Sequence, residues 1–321
     1  MSDVTALFAR GEFSSLAGAF QNAGFLVQQP LHGVLQICHA RPAANRKRVL
    51  ISVGVHGDET APIEIMAQLM RELGKHPRDL AVDLMLVIGN IEAIAQARRF
   101  IDVDLNRLFT PGRTQFNQTS EAQRADQLMA VSETFFAGHA DCWHLDLHTA
   151  IRASYYPTFA IVPGSGDTGF IAWLGQAGIE AAVLNPDASV TYSSFTCMHL
   201  GALSCTAELG RIGVMGKNDL SQFVQTGNAI AALLTTGQIT TSSAKAPLVF
   251  RVCQELIKRS DAFQLAFDSG TENFTRFEPD ALIATDGEVS YRVGEKPEYV
   301  LFPNQNVRVG LRAGLMVVRV S

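Results

Sequence analysis

The sequence lacks most of the features that mark secreted, membrane-spanning or nucleic-acid-binding proteins. Its five cysteines are an odd number without a CxxC pair, which predicts reduced thiols in a cytoplasmic protein. No apolar run approaches the ~20 residues of a membrane span, and the first residues lack the basic start and apolar core of a secretory signal. The net charge of −5 gives no electrostatic reason to expect nucleic acid or an anionic membrane as a partner.

The pattern of apolar residues divides the chain into two parts. Residues 49–55 and 84–89 are apolar runs of the kind found in strands buried on both faces of a parallel sheet. From Pro247 onward, short alternating strands are separated by Gly, Pro and Asp turns. We therefore predict a mainly parallel mixed α/β sheet flanked by helices over residues 1–244. A smaller antiparallel β domain is predicted over residues 245–321, where it narrows access to a cleft.

The segment VLISVGVHGDE, residues 49–59, predicts a buried strand that ends in a sharp turn just before a helix. His56 and Glu59 flank that turn. An imidazole and a carboxylate three residues apart can close on one divalent cation, which indicates half of a zinc site. The alternative is a strand-end histidine beside a helix-capping carboxylate, since so short a motif is common by accident.

A catalytic zinc usually has three protein ligands, and the segment DCWHLDLHTAIR offers the third. Strand alternation places His144, Asp146 and His148 on one face, with His148 at the end of the strand. His148 is therefore the predicted ligand. Asp146 and His144 either orient the ligands from behind or are ordinary hydrogen-bonded core residues.

Two further segments place charged side chains among apolar residues, where burying a charge costs free energy. Glu208 lies inside an otherwise apolar strand, and beside an activated water it would act as a general base. The irregular stretch 98–118 interleaves charged and apolar residues, which suggests that it is packed down with its polar groups directed inward. Its Arg107 suits a substrate carboxylate. Asp102 and Asp104 are expected to pair with arginines and fix the loop.

One glycine motif points to a different function. Gly164, Gly166 and Gly169 have the spacing of a dinucleotide-binding turn. That motif requires an acidic residue ~20 positions later at the end of the next strand. Asp187 is near that distance but follows Asn-Pro in a turn, so nicotinamide binding is disfavoured.

Together these segments resemble the aspartoacylase branch of the zinc carboxypeptidase superfamily, which includes the succinylglutamate desuccinylases. The resemblance runs from about residue 50 to the end of the chain. It is carried by GVHGDETAP, RRFIDVDLNRLF, WHLDLHTAIR, LGALSCTAELG, NDLSQF and EYVLFPNQNVRVGLRAGLM. It implies a zinc-carboxypeptidase-like α/β fold.

The resemblance also implies a reaction and a set of site residues. The reaction is hydrolysis of the amide bond of N-succinyl-L-glutamate to succinate and L-glutamate, in arginine catabolism by the succinyltransferase route. The partner is then a small anionic N-acyl amino acid, and a homo-oligomer is compatible with this. The resemblance implies one zinc ion held by His56, Glu59 and His148, with Glu208 as the base. It also implies that Arg99 polarises the scissile carbonyl and that Asn106 and Arg107 bind a substrate carboxylate.

Two positions depart from the family pattern. Asp58 stands in HGDET where desuccinylases commonly have asparagine, and Met198 stands where an arginine often precedes the base by ten residues. Arg152, after the third-ligand strand, is the candidate replacement for that arginine. Two other functions stay open: deacylation of another N-acyl amino acid such as N-acetylaspartate, and a nucleotide- or metal-binding module without turnover.

Overall fold

The computed structural model describes residues 3–43, 45–239, 245–268 and 270–320. The strands are β1 (Phe25–Gln28), β2 (Val34–His39), β3 (Arg48–Val53), β4 (Asp83–Ile88), β5 (Cys142–Ala150), β6 (Thr158–Pro163), β7 (Ala181–Asn185), β8 (Leu203–Arg211), β9 (Leu248–Ile257), β10 (Phe263–Leu265), β11 (Arg276–Phe277), β12 (Leu282–Asp286), β13 (Val289–Arg292), β14 (Glu298–Leu301) and β15 (Arg312–Arg319). The helices are α1 (Asp3–Ala9), α2 (Ser14–Asn22), α3 (Ala61–Leu73), α4 (Ile91–Ala95), α5 (Ser120–Phe136), α6 (Thr168–Gln176), α7 (Tyr192–Leu200) and α8 (Val224–Thr236). Short 3-10 turns span Pro77–Asp79, Leu105–Arg107 and Leu220–Phe223.

Twelve of these strands form one sheet in the order β1-β2-β4-β3-β5-β8-β6-β7-β9-β15-β14-β11. Strands β4, β3, β5 and β8 are mutually parallel, so their carboxyl ends meet at one edge. β6 pairs antiparallel with β8, and β7 and β9 follow the direction of β6. The carboxyl end of β6 therefore lies at the opposite edge of the sheet.

Helices cover both faces of the sheet because the central strands are apolar on both sides. On one face, Val49, Ile51 and Val53 of β3 pack with α3, α6 and α8. On the other face, Leu50 packs with α5 and α7. Trp143 of β5 is buried in the first of these cores, and His144 faces the second.

The C-terminal part adds antiparallel strands. β9, β15, β14 and β11 extend the large sheet, and β10, β12 and β13 form a separate antiparallel sheet. The small sheet shares an apolar cluster with β9, β14 and β15. The predicted fold class, a mainly parallel mixed sheet flanked by helices with a smaller antiparallel β domain, is confirmed. The domain boundary predicted at residue 244 lies outside the described residues and stays a prediction.

The helix predicted directly after residues 49–59 is α3, which begins at Ala61. The strand that carries Glu208 is β8, which begins at Leu203, after α7 and Gly201. The glycine motif is a turn in which Gly166 has a φ of 76°, and a Cβ there would lie 2.6 Å from the Leu184 side chain. Among the described residues, no helix is long and apolar enough to cross a membrane.

Candidate metal centre

The turn between β3 and α3 holds two of the predicted ligands, His56 and Glu59. Both side chains are buried, and the Glu59 N–H donates to the His56 carbonyl at 3.3 Å. Gly57 lies between them, where a Cβ atom would come within 2.2 Å of the Ala93 backbone. A residue without a side chain is therefore needed for α4 to pack this close to the turn.

His148, the third predicted ligand, reaches the same point from β5, the parallel neighbour of β3. Its Nδ1 lies 2.9 Å from Glu59 Oε2 and 3.2 Å from His56 Nδ1. His56 Nδ1 in turn lies 2.7 Å from Glu59 Oε1. The ligand atoms of the three residues all lie within 4.8 Å of one another, so the structure brings the predicted triad together at the carboxyl edge of the sheet.

In each imidazole, the ring nitrogen that points away from the centre of the triad is hydrogen-bonded to a carboxylate. His148 Nε2 lies 2.9 Å from Asp146 Oδ2, and His56 Nε2 lies 2.9 Å from Asp104 Oδ1. Both rings thus direct Nδ1 to the centre and Nε2 outward, which is the arrangement that fixes the tautomer and orientation of a metal-ligating histidine. The predicted pairing of Asp104 with an arginine is wrong, because its carboxylate accepts from His56 instead.

The charges of the triad and its neighbours shift the pKa values of Glu59 and His148. Burial alone would raise the pKa of Glu59, but the His56 and His148 imidazoles lower it well below its usual range. Burial alone would lower the pKa of His148, yet Asp146 and Glu59 raise it well above its ordinary value. The same carboxylates and imidazoles would serve a divalent cation, whose binding requires neutral imidazoles and so releases protons.

A buried hydrogen-bond network continues behind Asp146. The Ser52 hydroxyl donates to Asp146 Oδ1 at 2.6 Å and contacts His144 Nε2 at 2.8 Å. His144 Nδ1 then meets Thr196 Oγ1 of α7 at 2.8 Å. Burial lowers the pKa of His144 to about 4, so this imidazole is neutral. The sequence left open whether Asp146 and His144 orient the ligands or are ordinary core residues. In the structure Asp146 contacts His148 directly, and His144 contacts Asp146 only through Ser52.

Glu208 lies on β8 in register with His148 of β5. It is buried, and its Oε2 has no hydrogen-bond partner among the described residues. Burial, followed by the negative charge of Glu59, raises the pKa of Glu208 to about 7. A carboxylate with that pKa is suited to accept and return a proton near neutral pH.

The loop that carries the predicted arginines is held down by α5. The Glu121 carboxylate, buried in α5, accepts from the Ile101 N–H at 2.7 Å and the Asp102 N–H at 3.2 Å, and Leu105 is fully buried. Arg99 Nη1 consequently lies 2.8 Å from Glu59 Oε1, beside the triad.

Asn106 and Arg107 lie in the 3-10 turn of the same loop. Asn106 Oδ1 accepts from the Tyr192 N–H at the start of α7 at 2.9 Å, and the Arg107 guanidinium donates to the Asn106 carbonyl at 3.1 Å. These bonds fix both residues next to Asp104, and so next to His56.

Arg152, Met198 and Asp58 are the remaining positions singled out from the sequence. Arg152 donates to the backbone carbonyls of Thr271 at 3.1 Å and Pro303 at 2.6 Å, and thereby ties the end of β5 to the C-terminal part. Met198 lies in the last turn of α7 and is 45% exposed. Burial raises the pKa of Asp58, as does the charge of Glu59.

The residues present fit a zinc ion. Two imidazole nitrogens and one carboxylate, buried and supported from behind, are the donor set of catalytic zinc sites. The unbonded oxygen of Glu208 beside this set supplies a place where a water molecule could be activated.

Two family models match consecutive parts of the chain. Residues 45–234 match the family model described as the succinylglutamate desuccinylase/aspartoacylase catalytic domain, and residues 245–320 match the AstE/AspA barrel-sandwich hybrid domain. A protein of Burkholderia orbicola named succinylglutamate desuccinylase is 43% identical over 286 residues, which cover 87% of this chain and 83% of that protein.

Solved structures with the same name are also similar. Succinylglutamate desuccinylase from Vibrio parahaemolyticus superposes with a TM-score of 0.86 at 30% identity, covering 93% of this chain and 89% of that one. The enzyme from Chromobacterium violaceum superposes with a TM-score of 0.81 at 32% identity, covering 96% and 98% of the respective chains.

Proposed function

The chain belongs to the succinylglutamate desuccinylase/aspartoacylase family, and from that premise we propose that it is a zinc-dependent amide hydrolase that converts N-succinyl-L-glutamate to succinate and L-glutamate. The observation that carries the proposal is the buried triad of His56, Glu59 and His148 with the unbonded carboxylate of Glu208 in register beside it. This arrangement combines a metal donor set with a proton acceptor of suitable pKa.

In this proposal each side chain of the metal centre has a separate role in the reaction. When bound, the zinc ion would polarise the amide carbonyl and acidify a water molecule. Glu208 takes the proton of that water and delivers it to the leaving amine. Asp146 and Asp104 hold the two imidazoles in place throughout.

The loop supplies the substrate contacts. Arg99, whose Nη1 is already 2.8 Å from Glu59, polarises the scissile carbonyl and stabilises negative charge on its oxygen. Arg107 and Asn106 hold a carboxylate of the amino acid so that the amide lies over the triad. Arg152 remains a proposed contact for the acyl carboxylate, and its two bonds to backbone carbonyls would have to rearrange for that role.

The test combines metal analysis of the purified protein with an assay for released succinate. We expect one zinc ion per chain, activity that a chelator abolishes, and recovery when zinc is returned. Glu208→Gln should retain the metal but lose about 10²–10⁴-fold in kcat, since a carboxamide cannot accept the proton. Glu133→Gln, an exposed glutamate on α5, is the matched control. Turnover that survives complete metal removal would overturn the proposal.

A second candidate is deacylation of another N-acyl amino acid such as N-acetylaspartate, which the joint name of the family keeps open. Comparison of kcat/KM for the two substrates decides between them. A metal- or nucleotide-binding module without turnover would instead leave every measurable activity unchanged in Glu208→Gln. The free cysteines among the described residues favour a reducing compartment, and we place the reaction in the cytoplasm, in arginine catabolism by the succinyltransferase route.

A further inference from the structure

Arg312 opens β15 in the C-terminal part, where no chemical cluster was evident from the sequence. Its side chain is only 21% exposed, and its Nη1 lies 3.4 Å from Glu255 Oε1. That distance is long for a charge-assisted hydrogen bond, and the Glu255 side chain is itself 45% exposed. Arg312 is therefore a partly enclosed cation with a weak, solvated partner.

The chain around Arg312 is fastened to the edge of the sheet that carries the metal centre. The Asn304 N–H donates to the Ala313 carbonyl at 2.8 Å, so Pro303 lies beside the start of β15. The Pro303 carbonyl accepts from Arg152 at 2.6 Å. Arg152 follows His148 by four residues, and this links Arg312 to the end of β5.

On its other side, this segment contacts the loop that carries the proposed substrate residues. The Arg308 guanidinium lies over the Phe116 ring at 5.8 Å from its centroid. The charges of Arg107 and Asp104 in that loop both act on Arg312. Asp104 bonds His56 at 2.9 Å, so the residues that act on Arg312 include one that contacts the triad.

The guanidinium groups of Arg312 and Arg107 repel each other. Burial, followed by the positive charge of Arg107, lowers the pKa of Arg312. A visiting anion would relieve both the desolvation and the repulsion, because an arginine fork is bidentate toward carboxylate. The proposed substrate carries three carboxylates, and Asn106 and Arg107 are proposed to hold only one of them.

Resting on the proposed function, we propose that Arg312 binds a second substrate carboxylate, separate from the one held by Asn106 and Arg107. The C-terminal part then contributes a specificity-determining residue to the cleft. The carboxylate comes either from the acyl group or from the amino acid, and the experiment distinguishes these sources.

The experiment compares wild type, Arg312→Met and Arg312→Lys on N-succinyl-L-glutamate and on three analogues that each lack one carboxylate. These are N-butyryl-L-glutamate, N-succinyl-4-aminobutyrate and N-succinyl-L-2-aminobutyrate. We expect Arg312→Met to lose about 10–100-fold in kcat/KM on the full substrate, as for loss of a hydrogen bond to a charged group. On the analogue that lacks the cognate carboxylate, wild type and variant should be equal.

The matched control is Arg251→Met, which removes the same charge from an exposed position on β9, the strand that pairs with β15. Arg312→Lys keeps the charge without the fork and should recover part of the loss. An equal loss on all four substrates, or no loss on the full substrate, overturns the proposal. Circular dichroism and the Tm of each variant show whether the fold is intact.

A binding measurement separates this proposal from the proposed function. If wild type releases no succinate, the proposed function fails, and Arg312 is judged by calorimetric titration of the zinc-loaded protein with succinate and with L-glutamate. Weaker binding of one of these anions to Arg312→Met than to wild type supports the proposal. Equal behaviour of the two proteins toward both anions, including no binding by either, overturns it.

Discussion

Asp104 and Asp146 support the two imidazole ligands in different ways. Asp146 lies two residues from His148 on the same strand, so its position is set by β5 itself. Asp104 reaches His56 from a loop, and the Asn106 N–H donates to the same oxygen at 2.9 Å. The orientation of His56 therefore depends on how the loop is packed.

Asp104→Asn is expected to weaken zinc binding by about 10–100-fold, the usual cost of losing a carboxylate behind a ligating imidazole. Competition with a chromogenic chelator measures the affinity directly. Asp102→Asn is the control, since Asp102 is an exposed neighbour on the same loop. Equal zinc affinities for the two variants would contradict the role given to Asp104.

The proposed ligands and the proposed base could be singled out from the sequence because each interrupts an apolar pattern. His148 and Glu208 lie in strands whose other residues are mostly apolar, and His56 and Glu59 follow another such strand. Asp104 and Arg312 could not be predicted in the same way. Their significance depends on which distant residue they meet, and the path of an irregular loop is not encoded in periodicity.

At the scale of an element, the turn between β3 and α3 depends on close backbone packing. Gly57→Ala would place a methyl group against the Ala93 backbone, which cannot move away as a flexible side chain could. We expect a loss of about 1–3 kcal/mol in the free energy of unfolding, together with weaker zinc binding, because the turn sets the distance between His56 and Glu59.

Gly18→Ala provides the contrast for that prediction. Gly18 lies inside α2, and a Cβ there meets nothing within 4 Å. Alanine should therefore stabilise the protein by about 0.5–1 kcal/mol. Chemical denaturation of both variants tests the pair, and an unchanged stability in Gly57→Ala would show that the turn can relax.

Helix α7 is hidden from the hydrophobic pattern of the sequence for a physical reason. α7 buries Ser193, Ser194 and Thr196, which are hydroxyl residues and leave no apolar stripe. The Ser193 hydroxyl meets that of Thr206 at 2.7 Å, and the Thr196 hydroxyl meets that of Ser204 at 2.9 Å. A polar interior satisfied by β8 is invisible to a pattern based on hydrophobicity.

At the scale of the whole molecule, the large sheet joins both parts of the chain. β9 pairs with β7, and Phe250 of β9 is fully buried in a cluster with Phe159 and Val183. The two parts therefore share a core, which is typical of segments that unfold together.

Phe250→Ala is expected to lower the free energy of unfolding by about 3–5 kcal/mol through the cavity that it leaves. The two tryptophans, Trp143 and Trp173, both lie outside the C-terminal part. If the parts unfold together, the fluorescence transition of these residues shifts to lower denaturant along with the circular dichroism transition. A fluorescence midpoint that stays at its wild-type value would show that the C-terminal part unfolds alone.

The reversed direction of β6 has a practical consequence for labelling or immobilising the protein. The turn that follows this strand emerges at the edge of the sheet opposite the candidate metal centre, and its Ser165 is exposed. A dye or an affinity handle joined at Ser165 would leave the edge with the triad uncovered, so that the protein could be immobilised with that edge toward the solution.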